Sequence, residues 1–319
     1  MVTNSNQRVA DVFVHDPRKP VLSTLEDLVP GASWRRVVGP GSAQAMRDFV
    51  GNHFVRGAEP CPGTRGDLDE GQGLLAARRL LAGDGSRPQD VEDVQLVQLW
   101  AGNGRVSGAV AALGGRAVRV GYAHGQDFCR PADRRAVDGL LDRAEPATVL
   151  AAPQCRDWSS WQDVNVSRLD GFACLLRFRR LRQLVVLRWM CRVLISQLRR
   201  GGDIIVEQPR RSKMWRLSCI RRLVRLAREE GFDLDFIDLD QCVFGLCDPV
   251  TRRRFKKSTR FLVSRPSRYS GLARKCCCRG SHQPLAGSTQ FLGRTVRRTR
   301  LAECYPRKLA RGLASVIVG

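Results

Sequence analysis

The amino-acid sequence predicts an α/β protein built on a doubly wound, mostly parallel sheet. Between Val91 and Ser264, short apolar stretches of strand length alternate with longer stretches of helical periodicity. The spacing is typical of strand–helix–strand units, whose strands pair in parallel and are covered by helices on both faces. These two observations define the fold class before any motif is considered.

The first half of this pattern contains three strands and two helices. The first strand is VEDVQLVQLW (91–100), and a Gly-rich turn, AGNG, separates it from the helix RVSGAVAALGG (105–115). That helix ends at a glycine, a common C-terminal signal. The second strand is RAVRVGYA (116–123), followed by the polar helix PADRRAVDGLLDRA (131–144) and the third strand, ATVLAAP (147–153).

The second half continues the alternation. A long helix with apolar residues at helical spacing spans 172–202 and ends in Gly-Gly. The fourth strand is DIIVEQP (203–209), and KMWRLSCIRRLVRLAREEG (213–231) is helical. Two further strands are predicted at FDLDFIDLDQC (232–242) and TRFLVS (259–264).

Two regions follow from the change in texture near Val91. Residues 1–90 mix Pro, Gly, Asp and Arg, with one short helical candidate, GQGLLAARRLLAG. We predict a partly disordered basic extension for 1–90 and a single folded domain for 91–319.

Charge and cysteine content bear on partners and location. Lys and Arg total 54 against 31 Asp and Glu, a net charge of +23 that favours polyanionic partners. The most apolar stretch, LRQLVVLRWMCRVLISQL, carries arginines every few residues, so we expect no membrane span. Twelve cysteines without a secretory leader indicate reduced thiols, and we expect an intracellular protein, in the nucleus or cytoplasm and not secreted.

In a doubly wound sheet, ligands bind beyond the carboxyl ends of the strands. The segments expected on that edge are 101–104, 122–127, 153–159 and 207–209. Gly102 and Gly104 would let the backbone approach a ligand closely, although a plain strand-to-helix turn is the more common reason for two such glycines. Cys155 ends the third strand, and the adjacent Arg156 would favour its thiolate; the alternative is a buried, inert thiol.

The order of the motifs LWAGNG, PQCRDWS, VEQP and RRRFKKSTRFLVS resembles the DNA cytosine-5 methyltransferases. The resemblance covers about half to two-thirds of the chain. It implies a Rossmann-like fold that binds S-adenosylmethionine as the methyl donor. The residues that it implies for the donor site are Trp100, Gly102, Gly104 and Pro153. The end of the second strand usually supplies an acid for a ribose hydroxyl, and Asp127, a few residues later, is the acid available here. The tail YPRKLARGLASVI is similar to that family's final motif, a proline-led helix beside the donor.

The same resemblance implies catalytic roles. Cys155 would attack C6 of the target cytosine, while Glu207 would hydrogen-bond and protonate N3. Arg252 or Arg254 would hold the base or its phosphate. The chemistry requires a thiolate and an acid at one flipped base, because C5 is a poor nucleophile until both have acted.

Departures from the family pattern leave alternatives open. Gln154 stands in place of a proline, Gln208 in place of an asparagine, and Ala123 lies where an acid is expected after the second strand. The sequence is also similar to methyltransferase-like domains in polyproteins of algal and protist retroelements. A catalytically inactive nucleic-acid-binding remnant, or a methyltransferase with another substrate, is therefore an alternative.

Two clusters outside these motifs remain. The basic run TRRRFKKSTR contains Arg253, Lys256 and Lys257, which we predict to contact nucleic acid, DNA rather than RNA; a solvated loop is the alternative. KCCCRGSH places Cys276, Cys277, Cys278 and His282 close together. Adjacent cysteines cannot all bind one ion and only Cys304 is near enough to help, so we predict reduced thiols and no metal.

Overall fold

A computed structural model describes Leu74–Leu75 and residues 93–319. Within this part of the chain, a mostly parallel sheet is packed between helices, so the predicted α/β class is confirmed at this level. The strands of the sheet are β1 (Leu74–Leu75), β2 (Val94–Leu99), β3 (Arg116–Val120), β4 (Thr148–Ala151), β5 (Asp203–Pro209), β6 (Leu234–Asp240) and β7 (Ser258–Ser264).

The spatial order of the strands is β1-β3-β2-β4-β5-β7-β6. Strands β1 to β5 are parallel, whereas β7 is antiparallel to both β5 and β6. The chain leaves β2 towards β3 on one side and returns to β4 on the other. The strand order therefore reverses between β2 and β4, and a crevice is expected at their carboxyl ends.

Seven helices are described in residues 93–319. They are α1 (Arg105–Ala112), α2 (Pro131–Ala144), α3 (Trp161–Arg168), α4 (Phe172–Arg199), α5 (Ser218–Glu229), α6 (Arg298–Leu301) and α7 (Arg307–Val318). Helices α2, α4 and α5 contribute to one buried cluster, and α1 and α7 contribute to a second.

Strand β5 shows how the sequence produces this layering. Ile204 and Val206 belong to the cluster under α2, α4 and α5, while Ile205 belongs to the cluster under α1 and α7. Successive side chains of a strand point to opposite faces, so a strand covered on both faces must be apolar throughout. The continuous run Ile-Ile-Val meets that requirement.

A small outer region follows the sheet. Strands β8 (Ser288–Phe291) and β9 (Arg294–Arg297) form an antiparallel hairpin between β7 and α6. The predicted extension, residues 1–90, lies outside the described residues apart from Leu74–Leu75. Those two residues pair with β3, so the helix predicted over GQGLLAARRLLAG is wrong at that point. None of the described helices combines the length and apolar character needed to cross a bilayer.

Candidate active site

The carboxyl ends of β2, β3, β4 and β5 lie at one edge of the sheet because these strands are parallel. The segments expected at this edge are therefore brought together. The turn after β2 and the loop after β4 flank the point where the strand order reverses, the preferred ligand position in such sheets.

The turn after β2 has an unusual backbone. Trp100, Gly102 and Gly104 all have positive φ angles of 54°, 54° and 63°. A tryptophan in this region is strained, and its ring is held by edge-on packing against Phe128 at 4.7 Å between centroids. The three residues expected at the donor site thus form one tight, strained turn.

The two glycines have different surroundings. A Cβ placed at Gly102 would have the Trp100 carbonyl oxygen, 3.9 Å away, as its nearest neighbour, so its backbone can be approached. A Cβ at Gly104 would collide with the guanidinium group of Arg119. The space beside the backbone is therefore open at Gly102 and occupied by Arg119 at Gly104. We call this space around the turn the cradle.

The segment after β3 completes this side of the crevice. Tyr122 is 63% exposed, and the His124 ring lies 3.2 Å from the Gly102 carbonyl oxygen. Burial, and then the charge of Arg119, lower the pKa of His124. Asp127, expected to serve in the donor site, accepts a hydrogen bond from the Cys129 backbone N–H at 3.0 Å. One carboxylate oxygen of Asp127 is therefore bonded to the backbone of its own loop.

Cys155 follows β4 in a loop that is fixed on one side by β5. The Gln208 side chain donates a hydrogen bond to the Pro153 carbonyl oxygen and accepts one from the Ser212 hydroxyl at 3.0 Å. Gln208 is fully buried, so these bonds have no competition from water. Pro153, expected to contact the donor, therefore has its carbonyl engaged by β5.

Helix α4 holds the other side of the same loop. Arg180 donates to the Asp157 carbonyl oxygen at 2.8 Å, and Gln183 donates to the buried Asp157 carboxylate at 2.7 Å. Arg156 is exposed and lies 3.7 Å from Asp157. The half-buried Cys155 therefore lies in a loop that hydrogen bonds hold on both sides.

Glu207 lies near the end of β5 and is 8% exposed. Its nearest cation is Lys257, whose Nζ is 4.0 Å from Glu207 Oε1 and donates to the Ala302 carbonyl oxygen at 2.9 Å. Because β7 runs antiparallel to β5, the residue that precedes β7 meets the carboxyl end of β5. This antiparallel pairing delivers Lys257 to the edge.

Charges in one cluster at this edge shift the pKa values of their neighbours; the cluster contains Cys155, Glu207, Lys257 and Tyr305. Burial, and then the charge of Glu207, raise the pKa of Cys155, and Lys257 opposes that rise. Burial also raises the pKa of Glu207, again against Lys257. Burial, Glu207 and Cys155 together hold the pKa of Tyr305 well above its usual range. The structure therefore brings the predicted nucleophile and acid into one cluster.

Two buried oxygens in this cluster accept or donate no hydrogen bond within the described part of the chain: Glu207 Oε1 and Tyr305 Oη. Buried polar groups are normally paired, so an unsatisfied pair beside one thiol is informative. A polar ligand entering beside Cys155 would satisfy them.

The predicted base-holding arginines lie elsewhere in the loop before β7. Arg254 contacts Cys278, with 3.4 Å between Nη1 and Sγ, and Arg253 donates to the Ser281 hydroxyl at 2.6 Å. Arg252 is exposed with a φ of 58°, and Lys256 is exposed. Lys257 is the cation of this run that reaches Glu207.

Sequence reasoning did not single out Tyr305 as a site residue, nor Lys257 as a partner of Glu207. Tyr305 stacks on Phe261 of β7 with 6.4 Å between ring centroids, and its carbonyl accepts a hydrogen bond from Arg105 at 2.8 Å. Arg105 directly follows the Gly-rich turn, so the start of α7 is tied to it. The available signal was the similarity of the tail to the family's final motif.

Comparison of the chain with protein-family models, with curated proteins and with solved structures returned no match. The geometry of this edge is therefore the basis for inferring a function.

Proposed function

We propose that the chain is a Rossmann-like, S-adenosylmethionine-dependent methyltransferase of the cytosine-5 type that acts on nucleic acid. The observation that carries the proposal is the convergence of Cys155 and Glu207 beside the reversal of the strand order. Two segments far apart in the sequence supply the thiol and the acid that cytosine C5 chemistry requires. The sheet order and the strained turn after β2 agree with this class.

Glu207 is suited to give a proton to cytosine N3. Its raised pKa keeps the carboxyl group protonated to a higher pH than an exposed glutamic acid. After the transfer, the carboxylate would lie 4.0 Å from the ammonium group of Lys257, which stabilises the charge that develops.

Cys155 would attack C6 after its thiol has lost a proton. Burial and Glu207 raise the pKa of that thiol, and the charge of Lys257 opposes the rise. The residue is only partly buried, and it follows β4 at the edge of the sheet where the strand order reverses. Addition of the thiolate to C6 with protonation at N3 makes C5 nucleophilic. After C5 has taken the methyl group, a water molecule accepts the C5 proton, the C5–C6 double bond re-forms and the S–C6 bond breaks to release the thiolate. The proton on N3 returns to the Glu207 carboxylate.

Residues around the turn after β2 would hold the donor. Gly102 leaves its backbone open, and Trp100 borders the same turn. S-adenosylmethionine supplies an electrophilic methyl group when bound. Gly104, Asp127 and Pro153 support the site through local structure, since each is engaged by neighbouring protein atoms.

Exposed aromatic side chains at the edge favour nucleic acid as substrate. Tyr122 is 63% exposed after β3, and Trp161 is 72% exposed at the start of α3, just beyond the Cys155 loop. Rings in such positions can stack on unpaired bases, and a flipped base is needed for this chemistry.

The donor is tested by titrating S-adenosylmethionine against the full chain by calorimetry and thermal melting. We expect saturable binding and a rise in melting temperature with ligand concentration. S-adenosylhomocysteine should bind as well, and adenosine triphosphate serves as the control ligand. The absence of both heat and melting shift would remove the methyltransferase proposal.

The nucleophile is tested with an oligonucleotide that carries 5-fluorocytosine. Fluorine at C5 cannot be released as the proton is, so the covalent adduct should persist in the presence of the donor and appear by denaturing electrophoresis. Cys155→Ser should abolish the adduct, while Cys174→Ser, at a half-buried cysteine on α4, should retain it. An adduct that survives Cys155→Ser would refute the assignment.

One observation favours the alternative of a nucleic-acid-binding remnant without catalysis. The Arg119 guanidinium occupies the space above Gly104, part of the cradle that a donor would use. For such a remnant, nucleic-acid binding should be measurable while the donor titration is flat.

A further inference from the structure

The strongest feature outside this edge is a group of three cysteines and one histidine. The Sγ atoms of Cys242, Cys276 and Cys278 and a ring nitrogen of His282 all lie within 4.8 Å of one another. Cys242 is buried in the 3₁₀ turn Gln241–Phe244 that follows β6. The other three residues belong to the loop before β8.

We propose that Cys242, Cys276, Cys278 and His282 bind one structural Zn²⁺ ion. The inference is independent of the proposed methyltransferase activity. Three thiolates and one imidazole form a common tetrahedral set for structural zinc, and four protein ligands leave no open position for catalysis. The sequence alone gave three neighbouring cysteines and a histidine; the fold supplies Cys242 as the missing ligand.

The spacing of the ligand atoms agrees with a shared ion. Zn–S and Zn–N bonds of about 2.3 and 2.0 Å in a tetrahedron put sulfur and nitrogen about 3.5 Å apart. The observed distance between Cys276 Sγ and His282 Nε2 is 3.4 Å. A disulfide is a poorer explanation, because three thiols cannot all pair within the group.

The sequence position of the ligands avoids the problem of adjacent cysteines. Cys277, between two of the ligands, is exposed and is not part of the group. Cys276 and Cys278 therefore share one side of the loop, and the intervening residue faces solvent. The prediction of no metal assumed that directly adjacent cysteines would have to bind one ion. The proposed site instead uses Cys276 and Cys278, which are two residues apart.

The surroundings suit a site with excess negative charge. Three thiolates and a divalent cation leave a net charge of −1, which the Arg254 guanidinium, 3.4 Å from Cys278 Sγ, can offset. The Asp240 carboxylate accepts a hydrogen bond from the Cys276 backbone N–H at 2.9 Å and so fixes the start of the loop.

An ion at this position would explain how the loop is held. Between the 3₁₀ turn Pro266–Leu272 and β8, the described chain forms no helix or strand. Burial there is also slight, since most residues from 273 to 287 are exposed. Leu285 packs against the small cluster of Leu246, Phe255 and Ala302, and a metal that ties the loop to the end of β6 would add to this limited packing.

The test is the metal content of the full chain, purified under reducing conditions, equilibrated with Zn²⁺ and then freed of excess metal. We expect about one zinc per chain by elemental analysis. Replacement with Co²⁺ should give the d–d absorption of a tetrahedral ion and sulfur-to-cobalt charge-transfer bands. A wild-type chain that retains less than half an equivalent, or a cobalt spectrum of an octahedral, oxygen-ligated ion, would overturn the proposal.

Variants locate the ligands. Cys242→Ser and Cys278→Ser should each lower zinc affinity at least tenfold, measured by competition with a chromophoric chelator. The matched control is Cys277→Ser, which removes a thiol from the same loop and should keep the wild-type affinity. Equal losses in Cys277→Ser and Cys278→Ser would contradict the assignment. His282→Cys should still bind one ion, with stronger charge-transfer bands in the cobalt form.

Discussion

The buried carboxyl group of Glu207 links the proposed chemistry to stability. Burial raises its pKa, so the folded state holds the proton more tightly than the unfolded state does. A group of this kind contributes full stability below its ordinary pKa, and that contribution is lost as the pH rises through the raised folded value. Glu207 therefore costs stability at neutral pH, as catalytic groups often do.

Glu207→Gln should stabilise the protein at high pH and little at low pH. The amide cannot ionise, so the variant avoids the loss that the wild type undergoes as the pH rises above about 4.3, the ordinary glutamic acid value. We expect the free energy of unfolding of the variant to exceed that of the wild type by an amount that grows as the pH rises from about 4.3 towards 8. Urea denaturation at low and high pH measures it. In Glu229→Gln, at an exposed position of α5, the change should stay within about 0.5 kcal/mol. If the free energies of unfolding of the wild type and of Glu207→Gln change with pH in parallel, the prediction is wrong.

Gln208 shows why a departure from the family motif need not abolish a site. Its side chain reaches both the Pro153 carbonyl and the Ser212 hydroxyl, and so joins β5 to the Cys155 loop. An asparagine, one methylene shorter, would not span these partners without backbone movement. Gln208 is thus a positioning residue.

Gln208→Ala should destabilise the protein by about 1–3 kcal/mol, because it leaves the Pro153 carbonyl without its partner in a buried position. Chemical denaturation measures the loss. The control is Gln154→Ala in the same loop, where the exposed side chain should contribute less than about 0.5 kcal/mol. Gln208→Ala should also slow the formation of the covalent adduct by Cys155. If Gln208 were only a structural residue, the rate of adduct formation would stay unchanged.

At the scale of elements, the turn between β2 and α1 combines strain with close packing. Gly102 and Gly104 share the left-handed conformation. The space where a Cβ would lie is occupied only at Gly104, by the side chain of Arg119. The two positions therefore separate backbone strain from crowding.

Gly102→Ala should cost about 1 kcal/mol, the strain of a left-handed alanine. Gly104→Ala should cost at least about 1 kcal/mol more, because the half-buried Arg119 must also move and give up its contacts. Thermal and urea unfolding of the two variants compares them directly. Equal losses would show that Arg119 moves away without cost and that the cradle above Gly104 opens readily to a ligand.

Apolar periodicity predicted the strands from β2 to β7 and the helices α1, α2, α4 and α5, since local burial dictates that pattern. It did not predict the short helix α3. It did not predict that β7 would be antiparallel, because the connection from β6 carries no signal of direction. Cys155 and Glu207 were predictable as strand-end residues, whereas their pairing with Lys257 and Tyr305 depends on that antiparallel strand. Cys242 lies far in the sequence from Cys276, so only the fold could bring it into the proposed zinc site.

At the scale of the whole molecule, the net charge of +23 is the property most relevant to a polyanionic partner. Part of this charge lies in the loop that leads to β7, where Arg253 and Lys256 are exposed. By contrast, Arg228 is exposed at the end of α5 that precedes β6, at the opposite edge of the sheet. The three residues allow the contribution of location to be separated from that of charge.

The logarithm of the nucleic-acid binding constant should fall linearly with the logarithm of salt concentration, since each phosphate that the protein neutralises releases counterions. Arg253→Ala and Lys256→Ala should each weaken binding to a mixed-sequence oligonucleotide and reduce the magnitude of the salt slope by about 0.7–0.9. Fluorescence anisotropy across a salt series measures both quantities. Arg228→Ala removes the same charge from the opposite edge and should leave the slope unchanged. If all three variants lower the slope equally, the charge acts only as a diffuse field, and the loop before β7 is not the binding surface.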